Sequence, residues 1–194
     1  MVGLRSEIRG IIPEGEVLIA AKHQSFFDAI LIVSAVPKPK FIMKNSLKYA
    51  PVLGWFGLRI GCICVERGKR TQAIKSMVAA VNSGNSPAGQ LIIYPQGTRI
   101  APGASAPYKI GTAVLYQETG QTCIPAATNV GVFWPKYGIL RQPGLAVIEF
   151  LPAIQPGLSN ELFMHRLEEV IEQSSNALLE EAATDGFYPV GQDT

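Results

Sequence analysis

Short apolar runs alternate along the chain with longer segments in which apolar residues recur at helical spacing. The apolar runs predict buried strands at 17–21, 41–43, 60–65, 91–94, 122–127 and 145–151, with an edge strand at 6–10. The helical spacing predicts helices at 26–36, 70–82, 111–118 and 159–182, and a short bent helix at 47–58. This order predicts one α/β domain with a mixed, largely parallel central sheet and helices on both of its faces.

Length and composition fit that prediction, and the composition adds an unusually low content of charged residues. The 194 residues suffice for a single domain, which we expect to span 1–194 with a core over about 16–182. Apolar residues make up 47% of the chain and charged residues only 16%, against about a quarter in typical domains. The shortage of charge favours apolar surface that is reserved for a lipid, a partner or a tunnel. The net charge of +2 does not favour a nucleic-acid partner.

The cysteines show no metal-ligand pattern. Three are present, and Cys62 and Cys64 would face the same side of one strand, which is a poor geometry for pairing with each other. We interpret all three as buried thiols in a reducing compartment. No signal-peptide pattern follows Met1 and no run of about 20 apolar residues occurs, so we expect no transmembrane segment.

A polar corner, His23–Asp28, follows the strand at 17–21. His23 would lie at the carboxyl end of that strand and Asp28 in the first turn of the next helix, where open α/β sheets bind ligands. A neutral imidazole can accept a hydroxyl proton there, and a carboxylate on its other nitrogen fixes the tautomer and stabilises the imidazolium. Ser25 and Asp28 also match a capping box, with Asp in place of Glu, which gives Asp28 a structural role instead. This stretch alone leaves both interpretations open.

A second polar turn, Pro95–Arg99, follows the strand at 91–94. Gly97 lets the backbone approach a ligand closely, and the Arg99 guanidinium can donate to two phosphate oxygens. Lys109, beyond a proline-rich loop, can add a point charge. These residue types suit an anion site, although a plain β-turn with a solvated arginine has the same composition.

Two further stretches combine apolar and aromatic residues with few charges. Residues 49–65 carry one charge, Arg59, and their prolines and glycines argue against a straight helix. We interpret the strand within them as core, whereas 51–58 is either core or a wall for a lipid chain. The second stretch contains two aromatic and two basic residues: Trp134, Tyr137, Lys136 and Arg141. Such a mixture suits either a lipid headgroup interface or a packed loop with solvated charges.

Four motifs, taken in order, resemble those of the bacterial 1-acylglycerol-3-phosphate acyltransferases. They are His23–Asp28, similar to a His-x4-Asp motif; Gly61–Arg67, similar to a strand that ends in an acidic residue and Arg; Tyr94–Arg99, similar to Phe-Pro-Glu-Gly-Thr-Arg; and Ile124–Asn129, similar to a strand with an embedded proline. Lys44 and Pro51–Gly54 resemble the family's segment between the first two motifs. Each motif is weak, but four in order are specific, and the likeness covers roughly residues 16–180.

The resemblance implies transfer of a fatty acyl group from acyl-ACP or acyl-CoA to the sn-2 hydroxyl of lysophosphatidate, which gives phosphatidate. It implies that His23 is the general base and that Asp28 orients it. The residues implied to hold the substrate phosphate are Arg67, Gly97, Thr98, Arg99 and, as a weaker candidate, Lys44. Pro125 would shape the acyl-donor pocket. The substrate hydroxyl itself attacks, so the resemblance implies no acyl-enzyme, no metal and no cofactor.

The resemblance also implies a peripheral position on the cytoplasmic face of the inner membrane. The chain departs from the family pattern in two ways. Gln96 stands where the family usually has Glu, and we favour a hydrogen-bonding role for that Glu, which Gln can take over. Family members usually carry apolar amino-terminal helices that seat them on the membrane, and residues 1–16 do not resemble these. Alternatives are an acyltransferase for another lyso-lipid headgroup and a non-catalytic lipid-binding homologue.

Overall fold

The described elements of the fold are seven strands and a set of helices. The structure is a computed structural model that describes residues 3–65, 75, 78–79, 89–137 and 139–184, without the side chains of Lys44, Leu53 and Val65. The strands are β1 (Leu4–Arg9), β2 (Leu18–Ala21), β3 (Pro39–Lys44), β4 (Ile63–Val65), β5 (Gln90–Ile93), β6 (Cys123–Thr128) and β7 (Gly144–Phe150). The helices are α1 (Phe26–Ala35), a 3-10 helix (Asn45–Tyr49), α2 (Leu53–Arg59), α3 (Gly111–Thr119), α4 (Val130–Phe133) and α5 (Asn160–Thr184).

The helix predicted at 70–82 lies mostly outside the described residues. Within it, Lys75, Val78 and Ala79 are helical. The other predicted helices are present with shifts of a few residues at their ends, and the short helix α4 was not predicted.

The strands form one sheet in the order β1-β7-β6-β2-β5-β3-β4. Strands β2 to β6 all run parallel, whereas β7 pairs antiparallel with β6 and β1 runs alongside β7. The prediction of a mixed, largely parallel sheet is therefore confirmed. Because parallel strands end at the same edge, the segments that follow β2, β3, β5 and β6 meet there.

Helices cover both faces of the sheet, as predicted. On β2, Leu18 and Ala20 point to the face covered by α3 and α5, and Ile19 and Ala21 point to the face covered by α1 and α4. All four β2 side chains are buried. The strand is thus apolar throughout because both of its faces are covered. Burial on both sides holds the carboxyl end of β2 in place.

The segment between β3 and β4 is bent, as its prolines and glycines predicted. The 3-10 helix ends at Tyr49 and α2 begins at Leu53. Val52, between them, has a φ of +64°, which is uncommon for a β-branched residue. Gly54 sits so close to the preceding turn that a Cβ would lie 2.2 Å from the Lys48 carbonyl oxygen. Only a glycine permits this approach, so the kink is built into the sequence.

Two expectations about burial and membranes can be compared with the structure. Cys123 is a buried free thiol, as expected, but Cys62 and Cys64 are free and only half-buried, because β4 is the edge strand of the sheet. Among the residues that the structure describes, no helix is both long enough and apolar enough to cross a bilayer.

Candidate active site

The corner between β2 and α1 is a capped helix start. Ser25 is the N-cap and its Oγ accepts a hydrogen bond from the Phe27 amide at 3.1 Å. The Asp28 Oδ2 atom accepts hydrogen bonds from the backbone amides of Gln24 and Ser25, both at 2.7 Å. The Asp28 side chain is fully buried. These contacts confirm the predicted capping box and hold the carboxylate in one orientation.

The same carboxylate also contacts His23. The imidazole Nδ1 lies 2.9 Å from Asp28 Oδ1, and the His23 side chain keeps 19% of its surface exposed. A buried carboxylate acts as an acceptor, so Nδ1 carries the proton and Nε2 keeps its lone pair. The two interpretations of Asp28 are therefore compatible, because one carboxylate oxygen caps the helix while the other orients the imidazole.

Tyr94, the residue after β5, completes this group of side chains. Its ring stacks on the His23 imidazole, with the ring centroids 3.9 Å apart and the planes 16° from parallel. Its hydroxyl lies 3.4 Å from Asp28 Oδ1. Burial, together with the Asp28 charge, raises the pKa of Tyr94, so the phenol stays protonated and donates to the carboxylate. We did not predict this role for Tyr94. The signal in the sequence was the tyrosine that stands in place of the usual phenylalanine of the motif, because its hydroxyl can form a hydrogen bond.

The turn at 95–99 is fastened to the His23 corner. The Ile100 amide donates to the His23 carbonyl at 2.8 Å, and the Gly97 amide donates to the Tyr94 carbonyl at 2.8 Å. Gly97 has a φ of +68°, and a Cβ there would lie 2.5 Å from Lys109 Nζ. The Lys109 ammonium therefore lies against the turn, as predicted from its charge and position. Glycine is needed at 97 both for the conformation and for this close approach.

Gln96 is buried and contacts the backbone. Its Nε2 donates to the Ala106 carbonyl at 3.4 Å. No donor in the described part of the chain reaches its buried Oε1. An ionised glutamate cannot donate to a carbonyl, so this contact fits the interpretation that residue 96 forms hydrogen bonds with its neighbours.

One pocket joins the imidazole, a guanidinium and an apolar wall. It has a volume of about 660 Å³ and lies between α1, β3 and α2. Its polar lining includes His23, Tyr94 and Arg99. Its apolar lining includes Phe26, Ile30, Val33, Ile42, Phe56 and Ile60. Arg99 also donates from its guanidinium to the Lys136 carbonyl at 3.3 Å, which places Lys136 beside the pocket.

The predicted site residues do not all meet in this pocket. His23 and Arg99 line it, and Asp28 lies directly behind His23. Gly97 and Thr98 shape the turn without lining the pocket, and Thr98 is exposed. Lys44 ends β3, with its side chain outside the described structure, and Arg67 lies outside the described residues altogether.

Pro125 lies away from the pocket. It is buried in β6 and is the register partner of Ala20 on β2. Register partners in a parallel pair point to the same face, and Ala20 packs on the face covered by α3 and α5. The pocket lies on the other face, so the structure gives no support to Pro125 as part of its wall.

An ion pair between a buried lysine and a half-buried glutamate lies on the opposite face, beside His23 in the chain. Lys22 is 3% exposed, and its Nζ lies 2.6 Å and 2.5 Å from the two carboxylate oxygens of Glu172 on α5. The Tyr108 hydroxyl donates to Glu172 Oε1 at 2.9 Å. The two residues that follow β2 thus point in different directions, Lys22 to α5 and His23 to the pocket. We did not predict this pair, because 150 residues separate its partners.

Curated proteins with similar sequences are 1-acyl-sn-glycerol-3-phosphate acyltransferases. A curated 1-acyl-sn-glycerol-3-phosphate acyltransferase from Pseudomonas aeruginosa is 29% identical over 156 residues, which are 79% of this chain and 61% of that protein. One from Saccharomyces cerevisiae is 26% identical over 182 residues, which are 91% of this chain and 59% of that protein. The chain thus spans about three-fifths of the length of these curated relatives.

A solved structure shares the fold. The crystal structure of the 1-acyl-sn-glycerophosphate (LPA) acyltransferase PlsC from Thermotoga maritima matches with a TM-score of 0.75 and 21% identity, covering 91% of this chain and 73% of that one. The sequence profile of the Acyltransferase family matches residues 5–129, which is more than half of the chain. That match includes the His23 corner and the Arg99 turn, and the chain therefore belongs to the acyltransferase family.

Proposed function

We propose that this protein transfers a fatty acyl group from a thioester to the sn-2 hydroxyl of lysophosphatidate, giving phosphatidate. The observation that carries the proposal is that an oriented imidazole, a guanidinium and an apolar wall meet in one pocket. Lysophosphatidate has the matching parts: a hydroxyl to deprotonate, a phosphate to hold and a fatty chain to bury. The names of the relatives support the same reaction.

In the proposed mechanism His23 is the general base. As the sn-2 oxygen attacks the thioester carbonyl carbon, its proton passes to His23 Nε2. The Asp28 carboxylate stabilises the resulting imidazolium through Nδ1. The tetrahedral intermediate then expels the thiolate by breaking the C–S bond, and the imidazolium returns its proton to the sulfur. The acyl group moves directly to the lipid, so atoms and charges balance without a further reactant.

Arg99 is the described residue best placed to hold the acceptor phosphate in this pocket. A guanidinium matches two phosphate oxygens, and the nearby Lys109 ammonium adds positive charge at the turn. Gly97 and Thr98 contribute by setting the conformation of that turn. Arg67 and Lys44 stay predictions as further phosphate contacts, and Pro125 stays a prediction for the acyl-donor pocket.

The proposal includes a setting and its co-substrates. The acyl donor is acyl-ACP or acyl-CoA, and no cofactor or metal takes part. The protein acts as a peripheral protein on the cytoplasmic face of the inner membrane, where its acceptor and product reside. The low charge content and the exposed apolar residues beside the pocket support contact with a membrane.

A radiolabelled acyl-transfer assay tests the function directly. We expect the purified chain to form phosphatidate from lysophosphatidate and at least one of the two thioester donors. Faster reaction with a lyso-lipid that lacks the phosphate would reassign the acceptor. Binding of lysophosphatidate without product from either donor would identify a non-catalytic lipid-binding homologue.

Replacing Arg99 by alanine tests the phosphate site. A charge-assisted hydrogen bond is worth about 1.5–3 kcal/mol, so we expect the KM for lysophosphatidate to rise by roughly 10- to 100-fold. The KM for monoacylglycerol, which has no phosphate, should change little. The matched control is Arg166→Ala, which removes an exposed arginine from α5. Equal changes for both acceptors would remove Arg99 from the phosphate site.

Replacing Tyr94 by phenylalanine tests the hydrogen bond to Asp28 while keeping the ring stacked on His23. The hydroxyl draws charge from Asp28, so its loss lets Asp28 stabilise the imidazolium more strongly. We expect the acid limb of the pH profile of kcat/KM to move to higher pH. Apart from His23 itself, the other ionisable side chains that line the pocket, Arg99 and Cys62, are unchanged in this variant, so a shift of the profile would report on the Tyr94 hydroxyl.

Tyr116→Phe is the control for the loss of a buried hydroxyl. Tyr116 donates to the Gln155 carbonyl in the core beneath α3, away from the pocket. This variant should lose some stability and keep the wild-type pH profile. If Tyr94→Phe also keeps that profile, the Tyr94 hydroxyl does not act on the base.

A further inference from the structure

Charge is unevenly distributed along the chain. Residues 29–148 contain thirteen lysines and arginines but only two carboxylates, Glu66 and Glu118, although the whole chain has a net charge of only +2. Helix α5, in contrast, carries six glutamates and one arginine. This stretch, which supplies most of the pocket lining, is therefore strongly basic, whereas six of the fifteen carboxylates of the chain lie on one helix that packs over the other face of the sheet. Such segregation creates a surface that attracts anions.

The segment beside the pocket exposes large apolar side chains. We call Tyr49, Val52, Trp55 and Leu58 the α2 patch; they are between 55% and 79% exposed. Two cations lie over its aromatic rings: Lys48 Nζ is 4.9 Å from the Tyr49 ring centroid, and the Arg59 guanidinium carbon is 5.5 Å from that of Trp55. Residues 29–65, which include this segment, contain no carboxylate.

A second patch repeats this composition on a different loop. We call Tyr137, Ile139 and Leu140 the loop patch; they are between 76% and 91% exposed. Lys136 Nζ lies 5.1 Å from the Tyr137 ring centroid, and the Arg141 guanidinium carbon lies 4.1 Å from that of Trp134. Both patches therefore combine exposed apolar and aromatic side chains with cations held close to the rings.

Both patches border the candidate active site. Leu47 and Phe56, from the segment that carries the α2 patch, line the pocket. On the other side, Arg99 binds the Lys136 carbonyl, and Trp134 stacks on Phe27 of α1 with centroids 4.9 Å apart. Phe26 and Ile30 line the pocket between the two patches and are themselves partly exposed. The apolar surface is thus continuous with the pocket lining.

We infer that the α2 patch and the loop patch seat this protein on an anionic lipid bilayer, with the pocket opening toward the lipid. Tryptophan and tyrosine belong at the headgroup level, where adjacent lysines and arginines reach the lipid phosphates. Anionic lipid adds about 1 kcal/mol of attraction for each nearby cation. Exposed apolar side chains on two separate segments suit a bilayer better than a single acidic peptide or carrier protein. The inference rests on the proposed function, because this seat on the bilayer lets the lipid acceptor enter the pocket directly from the membrane.

Vesicle co-sedimentation of the full chain tests the inference. We expect binding to phosphatidylcholine vesicles that contain phosphatidylglycerol and much weaker binding to phosphatidylcholine alone. Trp55→Ser combined with Leu58→Ser should lower the partition coefficient at least tenfold, since buried apolar area drives interfacial binding. Lys48→Gln combined with Arg59→Gln should weaken binding only to the anionic vesicles, by about fivefold for each charge.

The matched control is Ile11→Ser combined with Leu162→Ser, which removes two exposed apolar side chains outside both patches. Its binding should equal that of the wild type. Equal binding by the Trp55/Leu58 variant and this control, or equal binding to both vesicle types, would overturn the inference. If the variants lost binding to acyl carrier protein but not to vesicles, the surface would belong to that protein instead.

Activity measurements separate this inference from the proposed function. With a short-chain lysophosphatidate that dissolves as a monomer, the Trp55/Leu58 variant should keep wild-type turnover, because neither residue lines the pocket. With acceptor held in vesicles its turnover should fall with its binding. If the wild type acylates the soluble acceptor but does not bind vesicles, the membrane-binding surface is wrong and the proposed acyl transfer still holds. If the wild type binds vesicles but acylates neither the soluble nor the vesicle-held acceptor, only the proposed acyl transfer is wrong.

Discussion

Replacing His23 by alanine is expected to lower kcat for acyl transfer by about 10²- to 10⁴-fold, the usual contribution of a general base. The variant keeps Arg99 and the apolar wall, so the KM for lysophosphatidate should change little. The fold should survive, because His23 lies in a polar corner and the Asp28 carboxylate still accepts both backbone amides of the cap. Steady-state kinetics and thermal unfolding of the same preparation provide the two measurements.

His165→Ala is the matched control for this substitution. His165 is the other histidine of the chain and lies on α5 with 77% of its side chain exposed. Its replacement should leave kcat and the unfolding midpoint unchanged. A His23→Ala enzyme with near-wild-type kcat would rule out the base assignment, whatever the geometry of the pocket.

Replacing Glu172 by glutamine is expected to lower the free energy of unfolding by about 3–5 kcal/mol. The substitution keeps the size of the side chain but leaves the Lys22 ammonium buried without a negative partner, and breaking one side of a buried pair costs about this much. For a chain of this length the unfolding midpoint should fall by roughly 6–20 °C. Urea denaturation should show the loss as a lower midpoint with an unchanged slope.

Two further variants give this prediction its controls. Glu169→Gln removes an exposed carboxylate from the same helix and should change stability by less than about 0.5 kcal/mol. Lys22→Met combined with Glu172→Leu removes both charges and should recover most of the lost stability, because an apolar pair can replace a buried ion pair. If Glu172→Gln unfolds like the wild type, the contact between Lys22 and Glu172 does not hold α5 to β2.

Local patterns in the sequence were sufficient to predict most of the described helices and strands and one pair of site residues. The fully apolar run of β2, the capping residues of α1 and the prolines and glycines around α2 act over a few residues, so their effects can be predicted without knowing the fold. His23 and Asp28 are five positions apart, and the helix cap that brings them together is itself local. Their contact was therefore predictable, even though the sequence left open which of two roles Asp28 takes.

The motifs made the fold class and the family predictable, but not the composition of the pocket. Gly97, Thr98 and Arg99 were predicted as one anion site, yet only Arg99 lines the pocket. A turn directs successive side chains to different sides, and their directions follow from how the turn packs. The face of the sheet that Pro125 occupies is likewise fixed by the register of β6 with β2, which the sequence alone does not give.

Long-range contacts were decided by the tertiary structure. Tyr94 reaches His23 and Asp28 because β5 is the neighbour of β2, and Lys22 meets Glu172 because α5 packs over the opposite face. The α2 patch and the loop patch border one pocket although about 80 residues separate them in the chain. Strand order and helix packing are set by the burial of apolar surface summed over the whole core. Neighbouring residues carry too little of that information, so the sequence determined the parts of the site and the fold determined which of them meet.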